Sequence, residues 1–272
     1  MGWGQEDVRS GTGAWIDAGV LRARHIARAV TDVVPPPLAL DAARAGPVQS
    51  RGLTSEAWTK LRFIEAPVCD GCGAPAEFDA GETLHDRARC PACLARKRAF
   101  DRARAAVAYD EHSRDLILQL KRADRTDLAG LFALWLSRAA RDLIEDSDVV
   151  VPTPLHPIRL FARRFNQAAE IARPLARRAG LAYLPGAIVR RRNTPSQAGR
   201  SGAGRRRNMA AAFASPKPMW RRIEGQRVLL VDDVLTTGAT AEACARVLKA
   251  AGAACVHVAT VARVQERETR PI

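Results

Sequence analysis

The segment VLLVDDVLTTGAT at residues 228–240 places two adjacent carboxylates, Asp232 and Asp233, behind four apolar residues and ahead of a Thr/Gly turn. Four such residues read as a buried strand, and ligands of open parallel sheets bind at the carboxyl ends of strands. From Leu235 through Thr236, Thr237, Gly238, Ala239 and Thr240, successive backbone N–H groups can wrap a phosphate. The three threonine hydroxyls add donors, and Gly238 permits close approach. The helix expected to start there adds about 0.3–1 kcal/mol from its dipole. Asp232 and Asp233 can accept hydrogen bonds from sugar hydroxyls or hold Mg²⁺, directly or through water. A P-loop is excluded, because Gly-Lys-Ser/Thr is missing. The residues alone leave one other reading open, a capped strand–turn–helix with a solvated acid pair.

The second chemical group is sulfur. Cys69 and Cys72 form one Cys-x-x-Cys pair, Cys90 and Cys93 another, with seventeen residues between them. This is the spacing of a structural zinc site. Each pair makes a tight turn with both thiolates on one side, and two turns complete a tetrahedral shell with no position open for catalysis. About 30 residues bury too little apolar surface to fold alone, and zinc supplies about 10–16 kcal/mol in zinc-finger peptides. A redox pair would open a helix after a strand, a context neither pair has; an iron–sulfur site stands as the other alternative. His85 reads as a surface histidine, and Cys244 and Cys255 as small buried hydrophobes of a reducing compartment.

Positioning these groups requires an α/β framework. Val107–Tyr109 reads as a short strand, and Leu116, Ile117 and Leu120 mark one helix face; Leu128, Leu131, Trp135 and Leu143 mark another. Val149–Val151 is an apolar run stopped by Pro152, as in a buried strand. Residues 164–179 read as a helix closed by Gly180, Arg227–Val231 as a strand ending at the acids, Ala241–Ala251 as a helix, and Cys255–Val261 as a further strand. Strands alternating with helices predict a parallel sheet with helices on both faces. Upstream, an amphipathic helix is expected around Ile16–Val34, ahead of Pro35–Pro37.

The 272 residues carry 47% hydrophobic and 26% charged residues, values that exclude a wholly disordered or fibrous chain. No apolar run approaches the ~18 residues of a membrane span. The N-terminus has neither a signal-peptide core nor the myristoylation pattern, where Glu6 stands at the Ser/Thr position. The expectation is a cytoplasmic protein. Residues 159–222 hold sixteen Lys/Arg against one acid, Glu170, so this window carries the whole net charge of +14. It reads either as a solvated arginine-rich surface or as a surface for phosphate, on a metabolite or a nucleic-acid backbone.

VLLVDDVLTTGAT resembles the phosphoribosyl-pyrophosphate (PRPP) signature of type I phosphoribosyltransferases, and with the cysteine pairs ahead of it the chain resembles the ComF family over about residues 61–264. The family's basic segments are visible as Val151–Pro154, Arg163–Gln167, Thr194–Gln197 and Arg205–Asn208 leading to Phe213. The resemblance implies a type I phosphoribosyltransferase-like α/β domain over 99–265 and a four-cysteine zinc ribbon over 61–98. Residues 1–60 would form an N-terminal helix and a degenerate, metal-free ribbon segment, partly disordered, and 266–272 a tail. Leu38 and Asp41, and Thr54 and Ala57, stand where family members carry further cysteines. It also implies that Thr236–Thr240 bind the 5-phosphate and that Asp232 and Asp233 bind the ribose hydroxyls. Pro152, Thr153 and Pro154 would face the pyrophosphate, with Arg163, Arg164 and Asn166 in or beside the segment closing over it. Asp232, Asp233, Arg163 and Arg164 would carry catalysis, with Mg²⁺ and basic groups stabilising departing pyrophosphate. Thr236 replaces the aspartate of hypoxanthine–guanine salvage enzymes, which argues against that acceptor.

Three functions compete: a Mg²⁺-dependent phosphoribosyltransferase with PRPP or another phosphorylated sugar or nucleotide as ligand, an accessory protein binding single-stranded DNA, and a PRPP-binding scaffold or sensor without turnover. Single-strand binders interleave aromatics with basic residues. Only 5% of this chain is aromatic, and Phe161, Phe165, Tyr183, Phe213 and Trp220 in the basic window read equally well as apolar packing. His156 reads as a turn histidine or a leaving-group contact; Glu242 and Cys244 read as helix-surface charge and core packing.

Overall fold

The computed structural model describes residues 52–75, 88–121, 125–191 and 212–265, apart from the side chains of Arg159, Ala162 and Arg163. The expected helix at Ile16–Val34, the substituted positions 38 and 41, His85 and most of the Arg/Gly segment 190–212 lie outside them. The chain divides after Thr54, and the elements of the second unit run from Ser55 onward.

Helix α1 (Ser55–Lys60) precedes the cysteine turns, and the short α2 (Pro91–Ala95) starts after Cys90 and carries Cys93. Strand β1 (Arg102–Ala108) follows, then helices α3 (Glu111–Lys121), α4 (Leu128–Ala139) and α5 (Arg141–Glu145). Strand β2 (Val149–Pro152) leads to α6 (Pro157–Arg163), α7 (Gln167–Ala179) and β3 (Ala182–Tyr183). A two-stranded antiparallel arm pairs β4 (Val189–Arg190) with β5 (Phe213–Ala214). Helix α8 (Lys217–Ile223), strand β6 (Arg227–Leu235), helix α9 (Ala239–Ala250) and strand β7 (Cys255–Arg263) complete the order.

Five strands form one parallel sheet in the order β1-β7-β6-β2-β3. The alternating chemistry of β6 divides its two faces. Val228 and Leu230 join Val149, Val151, Val256 and Val258 beneath Cys244 and Leu248 of α9, all buried. Leu229 and Val231 look the other way, where α7 packs over β2 and β6 and α4 packs against α7. Helices therefore cover both faces, as the strand–helix alternation predicts.

Several boundaries differ from the sequence reading: the helix expected from residue 164 starts at Gln167, and the face marked by Leu128–Leu143 is split between α4 and α5. Two further differences have a direct cause. Strand β6 does not stop at the acids; it runs to Leu235 because β7 offers a partner that far, with Asp232 opposite Thr260 and Leu235 opposite Arg263. Strand β1 begins five residues earlier than its apolar stretch, at Arg102. Its early residues look polar because Arg102 and Arg104 reach out to Asp70 at 2.7 and 3.2 Å and to Asp142 at 2.6 and 2.7 Å.

Candidate functional site

The strand order places the site. From β2 the chain moves outward to β3, whereas β6 and β7 lie on the other side of β2. The order therefore reverses between β2 and β6, and the crevice outside the carboxyl ends of two such strands is where open sheets take ligands. Pro152–Pro154 border it from β2 and Asp232–Thr240 from β6. Pro152 pairs with Val231, and the Thr153 N–H donates to the Val231 carbonyl at 2.8 Å.

Register aligns three polar side chains across this edge. Thr260 lies opposite Asp232, and Thr153 follows Pro152 by one step, so all three continue the row Val151–Leu230–Val258 on the α9 face. The hydroxyls of Thr153 and Thr260 are buried without hydrogen-bond partners. Asp232 is half-buried; burial first, then the charge of Asp233, pushes its carboxyl above the ordinary carboxylate range. Asp233, one pleat on, turns to the opposite face and meets Lys121, the last residue of α3, with Nζ 2.6 Å from Oδ2. Each acid also caps the next amide: Asp232 Oδ1 accepts from the Asp233 N–H at 2.9 Å, and Asp233 Oδ1 from the Val234 N–H at 2.7 Å.

Leu235 is buried, Thr236 and Thr237 are exposed, and Gly238, Ala239 and Thr240 form the turn into α9. Gly238 is the helix N-cap with φ 78°, a left-handed conformation that glycine adopts without steric cost. After the loop that follows β2, Arg163 ends α6 and Arg164 follows in a left-handed conformation, φ 64°. The Asn166 side chain is engaged internally. Its Nδ2 donates to the Thr153 carbonyl at 3.0 Å and its Oδ1 accepts from the Ala168 N–H at 3.1 Å, so it caps α7 and braces the loop after β2. His156 caps α6, Nδ1 accepting from the Ile158 N–H at 3.3 Å. That is the turn-histidine arrangement.

Glu242 corrects the sequence reading. It is a buried residue of α9, 1% exposed, and it receives Arg96 at 2.5 Å and Arg98 at 3.0 Å. Burial raises its carboxyl, but the two guanidinium groups outweigh burial and leave it below the ordinary value. Cys244 packs in the core, fully buried, as expected. Sequence reasoning missed Lys121 and the Arg96/Arg98 pair, because each partner lies more than a hundred positions away.

The sulfurs of Cys69, Cys72, Cys90 and Cys93 all lie within 4.8 Å of one another. Cys72 and Cys90 are 3.7 Å apart, close to the roughly 3.8 Å edge of a tetrahedron with Zn–S near 2.3 Å. The Cys90 N–H donates to Cys69 Sγ at 3.2 Å. Without a cation the thiols act against one another: the hydrogen bond from Cys72 pulls Cys69 down, and the same bond pushes Cys72 up. A divalent cation relieves that conflict by letting all four ionise. The four close cysteines thus suit a metal such as zinc. Arg263 Nη2 lies 3.5 Å from Cys72 Sγ, and Arg98 lies beside Cys93; two guanidinium groups match the formal −2 of zinc with four thiolates.

Sheet, crevice and loop together define a phosphoribosyltransferase-type domain behind a four-cysteine cluster. Residues 166–272 match the model of the phosphoribosyl transferase domain. The chain is 32% identical over 196 residues to DNA utilization protein YhgH of Escherichia coli, covering 70% of this chain and 82% of that protein. It is 28% identical over 221 residues to Competence protein F of Haemophilus influenzae, covering 79% and 92%. The chain belongs to the ComF family. Among solved structures, purine phosphoribosyltransferase from Pyrococcus horikoshii is similar at 18% identity and a TM-score of 0.31, over 54% of this chain and 91% of that one. Adenine phosphoribosyltransferase from Thermoanaerobacter pseudethanolicus is similar at 19% and 0.27, over 47% and 81%. Among the described residues no helix is long and apolar enough to cross a membrane.

Proposed function

We propose that this protein binds PRPP with Mg²⁺ in the crevice between β2 and β6 and transfers its phosphoribosyl group to an acceptor, releasing pyrophosphate. The observation that carries the reading is the arrangement at the end of β6: two carboxylates on opposite faces of the strand, followed after two residues by a Thr/Gly turn with exposed threonines that opens a helix. The amides of Leu235–Thr240 and the hydroxyls of Thr236, Thr237 and Thr240 would hold the 5-phosphate. Asp232 and Asp233 would receive the ribose hydroxyls. Pro152, Thr153 and Pro154 would face the pyrophosphate, where the unpartnered Thr153 hydroxyl supplies a donor. Arg163 and Arg164 belong to the segment at its rim, while Asn166 holds that loop in place. Mg²⁺, when bound, would supply charge neutralisation on the diphosphate. Heterolysis at C1′ sends the bonding pair to pyrophosphate, and the acceptor's lone pair forms the new bond; positioning and electrostatics would carry the rate.

Thermal shift and calorimetry test this. PRPP with Mg²⁺ should stabilise the wild type, by about 2.7 kcal/mol at one hundred times Kd, and Asp232→Asn with Asp233→Asn should remove the effect. Released pyrophosphate across an acceptor panel separates transfer from binding alone; binding without turnover would make the protein a PRPP-dependent scaffold or sensor. No stabilisation of the wild type would end the reading. A second reading, single-stranded DNA binding, is favoured by the basic window and by the DNA utilization and competence proteins among the relatives.

A further inference from the structure

The cysteine cluster and the Thr/Gly turn share side chains. Arg98 stands five positions after Cys93 and beside it. Its Nη1 donates to the Thr237 carbonyl at 3.0 Å and to Glu242 Oε1 at 3.0 Å. Glu242 is buried in the first turn of α9, and its other oxygen holds Arg96, the residue that follows α2. The other cysteine turn grips the opposite end of the same loop. Arg263 donates to the Cys72 carbonyl at 2.7 Å, and in the sheet it lies opposite Leu235, where the loop begins.

The contact with Thr237 has a directional consequence. In a planar trans peptide the carbonyl and the following N–H point opposite ways. Arg98 draws the Thr237 carbonyl toward the cysteine cluster, so the Gly238 N–H on the same peptide points away from it. A Cβ at position 238 would lie 3.4 Å from Arg98 Nη1, so glycine lets the guanidinium lie close behind the turn. Loops that bind phosphate through amides need their carbonyls turned away from the anion, and Arg98 supplies that turn at Thr237.

We propose that the cysteine module is a clamp on the phosphate loop, with Arg98 as its positioning residue, so that metal retention and phosphate affinity are coupled. The proposal rests on the PRPP reading for the identity of the anion; the clamp geometry stands apart from it. Coupling is reciprocal: sugar phosphate should tighten the hold on the metal as much as metal tightens the hold on sugar phosphate.

The test compares full-length wild type with Arg98→Ala and Arg98→Lys, after zinc content is measured for each. Calorimetry with ribose 5-phosphate, PRPP with Mg²⁺, and pyrophosphate alone should show a tenfold or greater loss in Arg98→Ala for the first two and none for pyrophosphate. Lysine keeps the charge but lacks the planar fork for two acceptors, and should fall between. Ribose 5-phosphate should also reduce the zinc lost to a chelator at equilibrium in wild type but not in Arg98→Ala. Wild-type affinity for ribose 5-phosphate in Arg98→Ala, or equal losses for all three ligands, overturns the clamp; if that variant does not fold, Arg98→Lys decides by the same criteria. A wild type that binds neither ribose 5-phosphate nor PRPP overturns the PRPP reading along with it.

Discussion

Asp233 leaves β6 toward α3, where Lys121 neutralises it at 2.6 Å, while Asp232 leaves toward α9 and gains no basic partner at that distance among the described residues. The difference sets a pH dependence for the ligand-free protein. Burial and then the Asp233 charge raise the Asp232 carboxyl, so the folded chain keeps this proton to a higher pH than the unfolded chain. Below the ordinary carboxylate range both states are protonated and the group is neutral in its effect. As pH rises, the unfolded chain ionises first, and stability falls until the folded carboxyl ionises too. Urea unfolding at pH 5 and pH 8 should therefore show Asp232→Asn gaining on wild type by about 1 kcal/mol or more at the higher pH. A constant difference between the two pH values would contradict this account. The pair itself was legible in the sequence from its place behind four apolar residues. Its unequal surroundings were not, because nothing local to Asp233 points to Lys121.

Among the elements, the cysteine turns show how closely a small module can be seated. Gly73 has φ 67°, and a Cβ there would lie 2.6 Å from the Ala103 carbonyl oxygen of β1. Both the conformation and the approach require glycine, so Gly73→Ala should cost about 2 kcal/mol or more and lower zinc occupancy. Gly130, in α4 with open space around its Cβ position, is the control; Gly130→Ala should be neutral or stabilising by up to about 1 kcal/mol. Equal stability of the two variants by urea unfolding would remove the close-packing argument. Element types were readable where periodicity was strong, as in α4 and α7, and from the apolar runs of β2 and β7. Element ends were less so. Whether β6 continues past Val231 depends on the neighbour lying beside it, and the buried Glu242 of α9 finds two of its guanidinium partners, Arg96 and Arg98, on the cysteine module. Those are properties of pairings between distant segments, which periodicity does not encode.

Across the whole molecule, charge is the most uneven quantity: one window from 159 to 222 carries all of the net +14. A segment so rich in cations binds polyanions by releasing counterions, and for single strands log K falls with log salt by about 0.7 for each phosphate neutralised. Fluorescence anisotropy with oligothymidylate should thus show binding that weakens steeply from about 50 to 200 mM salt; no binding at the lower salt, or binding indifferent to salt, would remove the DNA reading. The α/β class was available from strand–helix alternation, and the site from the motif. The strand order was not, and with it the crevice between β2 and β6, since an alternating pattern is compatible with several orders.

That order bears on how the chain comes to be folded. Strand β1 lies at the sheet edge, and its partner within the sheet is β7; the Asp101 carboxylate at its entrance takes an amide from Val256, 155 positions downstream. The cysteine turns, made earlier still, are held by Arg263 from the end of that same strand. During vectorial synthesis β1 and the cysteine turns are therefore made well before the strand that holds them, and a topology so dominated by distant pairings assembles slowly. A metal captured early would give that waiting cysteine segment a fixed shape before the sheet exists to receive it.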